Sequence, residues 1–152
     1  MIWVGVDPGA KGGYAIIAES ETGKAIFAYP WDDTFFAYEM SALMWKKDDG
    51  ITAVVEKVGA RPGQGVTSMF NFGKNAGYIE GVLSALGIPY QLIPPATWKK
   101  EFSLIGKDKQ ASIVTCHKLF PDVDLKRSDR CRTDSDGKAE ALLICEWGRR
   151  HL

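Results

Sequence analysis

The amino-acid sequence predicts an α/β protein: a single domain over residues 1–152, built on a mixed β-sheet with helices on its faces. Three observations lead there. Two apolar, β-branched runs, Ile2 to Val6 and Tyr14 to Ala18, flank a turn rich in Pro and Gly and should pair as an antiparallel hairpin. After a third such run the pattern alternates between helix and strand, the order that crossover connections produce. The length of 152 residues, 45% hydrophobic and 25% charged, suits one globular core, and no repeat or linker divides it.

Taken in order, the first strand ends on a carboxylate, Asp7, beside Pro8-Gly9 and Gly12-Gly13. An aspartate in that place either bonds the turn backbone or stands at the sheet rim, ready for a metal or a phosphate. Glu19 to Lys24 form a second turn and Ala25 to Tyr29 a third strand, which Pro30 ends. Asp32 or Asp33 caps a helix from Thr34 to Lys47, closed by Gly50. The strand Ile51 to Glu56 again ends on an acid. A polar stretch, 59–65, leads to a helix that starts at Thr67 or Ser68 and reaches Leu86. Tyr90 to Ile93 is a strand, and Pro94-Pro95 opens a short helical turn through Lys100. Asp108 caps a helix to Phe120, residues 121–133 form a polar loop, and a last helix runs from Ser135 to Arg150.

This order brings acids together. A right-handed crossover puts the strand ending at Glu56 parallel to the first strand. As neighbours their axes lie about 4.8 Å apart, so Asp7 and Glu56 emerge side by side. Two carboxylates that close repel and raise a pKa unless a cation sits between them. In the last helix Asp136 and Glu140 are four apart, share one face at about 5–6 Å, and adjoin a stripe through Leu143 and Trp147. Asp134 falls about 200° from Asp136 on a helical wheel, which makes it a cap or a solvent acid.

Several function classes are disfavoured. No apolar run nears the ~20 residues of a membrane helix, and no basic segment precedes the first run, so an intracellular, cytoplasmic protein without signal peptide or membrane segment is expected. Cys116, Cys131 and Cys145 lack disulfide or CxxC spacing and should be reduced thiols. His117 and His151 have no ligand-like neighbours, against a zinc site, and there is neither a Ser-His-Asp set nor a Walker lysine motif.

Val4-Gly-Val-Asp-Pro-Gly9, Val54-Val-Glu56 and Asp136-Gly-Lys-Ala-Glu-Ala-Leu-Leu-Ile144 together resemble RuvC-type Holliday-junction resolvases of the ribonuclease H-like superfamily. The resemblance extends to the Ser68–Leu86 helix and to Ile93-Pro-Pro-Ala-Thr-Trp-Lys99, and lies nearest the compact phage and viral branch. It implies a five-stranded mixed sheet ordered 3-2-1-4-5, a homodimer, and two Mg²⁺ or Mn²⁺ ions held by Asp7, Glu56, Asp136 and Glu140. The cellular enzymes usually space the last two acids three apart and end on aspartate; here the spacing is four and the last acid is glutamate. The implied activity is metal-dependent cleavage of four-way or otherwise branched DNA by paired nicks. A ribonuclease H-like nuclease of RNA or RNA–DNA hybrids, and an inactive junction-binding protein, are the competing readings.

The zero net charge conceals an acidic region and a basic one. Residues 1–56 carry four Lys or Arg against nine Asp or Glu, whereas residues 99–132 carry nine against five. Lys107 and Lys109 start a helix where phosphate can also meet free N–H groups. Lys99, Lys100, Lys126, Arg127, Arg130 and Arg132 extend the candidate DNA surface, and Arg61 and Gln64 follow Glu56 on the polar loop. Phe70 and Phe72 could stack on bases, but their helical setting favours core packing. Gly73, Gly77 and Gly81 cost their helix about 1 kcal/mol each against alanine, which suggests close approach to a partner helix or to the sheet.

Overall fold

The computed structural model describes residues 1–45, 50–60 and 62–152. Strand β1 (Ile2–Asp7) lies at the centre of a five-stranded sheet, antiparallel to β2 (Gly13–Ser20) and parallel to β4 (Ile51–Glu56). Beyond them β3 (Gly23–Pro30) and β5 (Tyr90–Ile93) form the edges, giving the order β3-β2-β1-β4-β5. Helices α1 (Asp33–Leu43) and α2 (Val66–Ala85) cover one face. The other face carries α3 (Pro95–Glu101), α4 (Lys109–Leu119) and α5 (Asp136–His151).

Strand alternation explains the two cores. Ile2, Val4 and Val6 with Ala53 and Val55 face Phe36, Met40, Ile79 and Leu83 of α1 and α2. Trp3 and Val54 face the opposite way, towards Trp98, Leu142 and Leu143. Asp7 and Glu56 continue the Trp3 and Val54 parity, so both carboxylates belong to the face that α5 covers.

Helix α5 is buried on nearly every side, and glycines let it sit that deep. A Cβ on Gly5 would lie 2.3 Å from the Cys145 backbone nitrogen, and one on Gly137 would lie 2.1 Å from the Lys11 carbonyl oxygen. The start of α5 is thereby seated on the β1–β2 turn that follows Asp7. Ser135 is the N-cap, its hydroxyl accepting from the Lys138 N–H at 3.3 Å.

The observed elements refine several expectations. Asp32 caps α1 by accepting from the Phe35 N–H at 2.8 Å, and the helix ends at Leu43; Lys46 and Lys47 lie outside the described residues. Helix α2 starts at Val66, just before Thr67 and Ser68, with Gly65 as its N-cap. The loop 121–133 is not simply a polar excursion: Leu125 is buried, its carbonyl accepts from the Ser135 N–H at 2.7 Å, and Lys126 pairs with Asp134 as an isolated bridge. Leu125, with the partly buried Val123 beside it, pins the loop beneath α5.

All three cysteines are free thiols, and burial separates them. Burial, helped by Asp134, pushes the Cys116 thiol up to about 12, and burial raises Cys145 as well, whereas Cys131 is partly exposed. At neutral pH a maleimide should therefore label Cys131 alone in the native protein and all three after denaturation, as mass spectrometry would show.

Candidate active site

Four acids meet at the end of β1. Asp7 and Glu56 each follow the paired residues Val6 and Val55, so adjacent parallel strands deliver them to one edge of the sheet. Helix α5 brings Asp136 in its first turn and Glu140 one turn later. The electrostatics record the convergence: burial raises the Asp7 carboxyl well above the ordinary range, Glu56 and Glu140 add to the rise, Lys109 opposes it, and Asp136 adds again.

Donors from α3 and α4 hold the other three acids. Trp98, fully buried, donates from Nε1 to Glu56 Oε2 at 2.8 Å. Ser112, also buried, donates from its hydroxyl to Glu140 Oε1 at 3.1 Å. Lys109 is ion-paired with Asp136, which raises the lysine pKa. Among the described residues no three His, Cys, Asp or Glu side chains are arranged to hold a metal ion. The acids are near enough to repel one another, yet three are turned to protein donors. Their donor chemistry nevertheless fits a hard divalent cation, which takes carboxylate oxygens and would relieve the repulsion at Asp7.

Asp134 is neither helix cap nor free solvent acid. Its Oδ2 lies 2.6 Å from His117 Nε2, and the capping role falls to Ser135.

Some basic residues of the candidate DNA surface lie near the acids. Lys109 reaches Asp136; Lys99 lies over the Trp98 ring, 5.1 Å from its centroid; and Arg127 donates to the Ala10 carbonyl at 3.5 Å on the β1–β2 turn. Lys109 is the first residue of α4 and is ion-paired with Asp136, whereas Lys107 precedes the Asp108 cap and is exposed. Lys100, Lys126, Arg130 and Arg132 are exposed as well. Gln64 and Glu56 line one small cavity together with Phe72, while Arg61 lies outside the described residues. Phe70 and Phe72 are not core residues: Phe70 is 70% exposed, and the Phe72 ring lies against the β1–β2 turn at Gly9. The sites above Gly73, Gly77 and Gly81 are open, so the stripe is not a contact with the sheet.

Trp98, Ser112 and the Asp134–His117 pair were not singled out from sequence. Only the Thr-Trp-Lys run after β5 hinted at one of them.

This sheet order with helices on both faces is the ribonuclease H-like topology. Solved structures narrow the likeness. Thermus thermophilus RuvC matches with a TM-score of 0.57 at 17% identity, covering 99% of this chain and 96% of that one. The same organism's RuvC in complex with a Holliday junction substrate matches with a TM-score of 0.61 at 12% identity, covering 99% and 97%. The yeast mitochondrial Holliday junction resolvase matches with a TM-score of 0.54 at 14% identity, covering 94% and 75%. The chain therefore has the ribonuclease H-like fold of RuvC-type resolvases. No protein-family model and no curated protein matches the sequence.

Proposed function

We propose that this protein is a metal-dependent, structure-selective endonuclease that resolves four-way or related branched DNA as a homodimer. The convergence of Asp7, Glu56, Asp136 and Glu140 at one sheet edge carries the reading, and the RuvC-like fold over nearly the whole chain supports it. The four carboxylates would hold two Mg²⁺ ions, with Mn²⁺ as a substitute. When bound, such ions activate a water and stabilise the leaving 3′ oxygen of a phosphodiester.

The chain's own residues orient and hold these groups. Buried Trp98 fixes the Glu56 carboxylate in one rotamer, and Ser112 does the same for Glu140. Lys109 neutralises Asp136 and would exchange that carboxylate for a phosphate as metal and DNA arrive. Lys99, Lys100, Lys107, Arg127 and Arg130, with Arg61 and Gln64, would contact the junction arms and centre. The exposed Gly73, Gly77 and Gly81 face of α2 would form part of the dimer interface.

A synthetic four-way junction incubated with and without Mg²⁺, beside linear duplex and RNA–DNA hybrid, tests the reading. Paired nicks confined to the junction and the metal are expected. Cleavage of hybrid alone, or of nothing, would refute it.

Trp98→Phe keeps an aromatic ring at the site, smaller than the indole, but removes the donor to Glu56. It should lower the single-turnover rate by about 10- to 100-fold while leaving junction affinity unchanged, as gel-shift titration would show.

A further inference from the structure

The sheet edge at β3 carries a row of rings that the nuclease chemistry leaves unused. Phe27 and Tyr29 stand on the α1 side of the sheet, since they pair with Ile16 and Tyr14 of β2. The row runs from Phe27 to Tyr29 at 6.4 Å between centroids, to Phe35 at 5.6 Å, and to Tyr38 at 6.4 Å. Tyr14 stacks on Tyr29 at 5.0 Å and fixes the row from below. Rings in such a row normally belong to a core, yet Phe27, Phe35 and Tyr38 are 47%, 42% and 67% exposed. Between β3 and the start of α1, Tyr29, Pro30, Asp32, Thr34, Phe35 and Tyr38 line an open groove of about 590 Å³.

Charge and strand pairing tell what covers this surface. The groove is lined by an acid, Asp32, and no base, and residues 25–45 hold Asp32, Asp33 and Glu39 but no Lys, Arg or His. Lys24 is turned away, to Glu19 at 3.7 Å and to the Phe120 ring of the opposite core. Phosphates would be repelled here, and a second copy meeting it face to face would set these acids against themselves. Strand β3 is an outer strand, and among the described residues no strand pairs with its free side. Lys24 and Pro30, residue types that guard an edge, stand near its two ends, and Ala25 to Tyr29 between them have no such guard. The three exposed rings offer about 300 Å², taking about 200 Å² for a whole aromatic side chain, against about 800 Å² per partner in a stable globular interface. That area suits a short segment of chain and not a folded face. We infer that this surface docks an extended, arginine-bearing segment of a partner protein, added to β3 as a further strand. Its main chain would pair with the free edge, and its guanidinium groups would lie over the rings beside Asp32, Asp33 and Glu39. Lys99, Lys100 and Lys109 lie on helices of the opposite face, so the segment would not compete for them. Such docking is independent of the nuclease chemistry.

Random nonapeptides displayed on phage and selected on the full-length protein provide the test. The recovered peptides should carry Arg or Lys at alternate positions and should bind more weakly as salt rises. With a synthetic copy of the commonest peptide, Tyr38→Ser and Phe27→Thr should each weaken binding by about 5-fold or more. Asp33→Asn combined with Glu39→Gln should also weaken it and flatten the salt dependence. Both rings are exposed, so these variants should stay folded, as thermal melts would show. Amide exchange over Ala25 to Tyr29 should slow when the peptide is bound. Failure to enrich any peptide, an acidic or uncharged consensus, or affinity unchanged in the variants would overturn the docking site. So would β3 amides that exchange as fast with the peptide as without it. Single-stranded DNA that binds wild type and is lost with Tyr38→Ser would overturn it in favour of a nucleic-acid surface. A dimer in sedimentation that Tyr38→Ser dissociates would overturn it in favour of self-association.

Discussion

Asp7→Asn is expected to abolish metal-dependent junction cleavage and at the same time to make the metal-free protein more heat-stable. The first effect should reach about 10³-fold or more, about 4 kcal/mol of transition-state stabilisation, because Asp7 lies at the centre of the four acids. Glu56→Gln, Asp136→Asn and Glu140→Gln should follow it, whereas Asp134→Asn, whose carboxylate is engaged by His117, should cut at close to the wild-type rate. Junction affinity should survive in each of these variants. The second effect follows from linkage. Burial and the neighbouring acids hold the native Asp7 pKa above its unfolded value near about 4. The native state therefore keeps the proton longer, so this group's contribution to stability is greatest below the unfolded pKa and is lost as pH rises through the native pKa. Asparagine carries no such charge, so its advantage should be largest at neutral and alkaline pH and vanish towards about pH 4. Melting curves in chelator across that range measure it. Mg²⁺ should then raise the melting temperature of wild type but not of Asp7→Asn. A constant advantage at all pH values would mean that Asp7 carries no excess charge energy.

Gly5→Ala is expected to be among the most damaging small substitutions in the protein. Its new methyl would lie 2.3 Å from the Cys145 nitrogen and 2.4 Å from the Ala141 carbonyl oxygen, both backbone atoms that no rotamer change can move. Strand β1 and α5 would have to separate, at about 3 kcal/mol or more, which lowers the melting temperature by about 10 °C in a domain of this size. Gly77→Ala provides the contrast. Nothing lies within 4 Å of its Cβ position, so the helix should gain about 1 kcal/mol. If α2 is the dimer face, the same methyl should weaken self-association measured by sedimentation. Equal effects of the two substitutions on stability would contradict the packing of α5 on β1.

The pairing of Asp7 with Glu56 was legible in the sequence because strand periodicity and the handedness of crossovers leave few alternatives. The placement of Asp136 and Glu140 on one helix face was legible for the same kind of reason. What holds those acids was not. Trp98, Ser112 and Lys109 are distant in sequence from the carboxylates they touch, and nothing local distinguishes a tryptophan that donates to an acid from one that only fills space. The helical position of Phe72 suggested core, since periodicity alone does not tell which side of α2 meets the sheet. Leu125 was hidden in a polar loop because two apolar residues, Val123 and Leu125, among charged neighbours make too short a pattern to mark a core contact.

The seating of α5 on β1 has a consequence for biosynthesis. Asp7 is translated well before Glu140, and at about 5–20 residues per second their appearance differs by roughly 7–27 s. Until α5 docks, the centre of one face of the sheet lacks its cover and the acid cluster is half complete. Any chemistry requiring all four carboxylates must then wait for that docking, so a ribosome-bound chain lacking α5 would be catalytically silent.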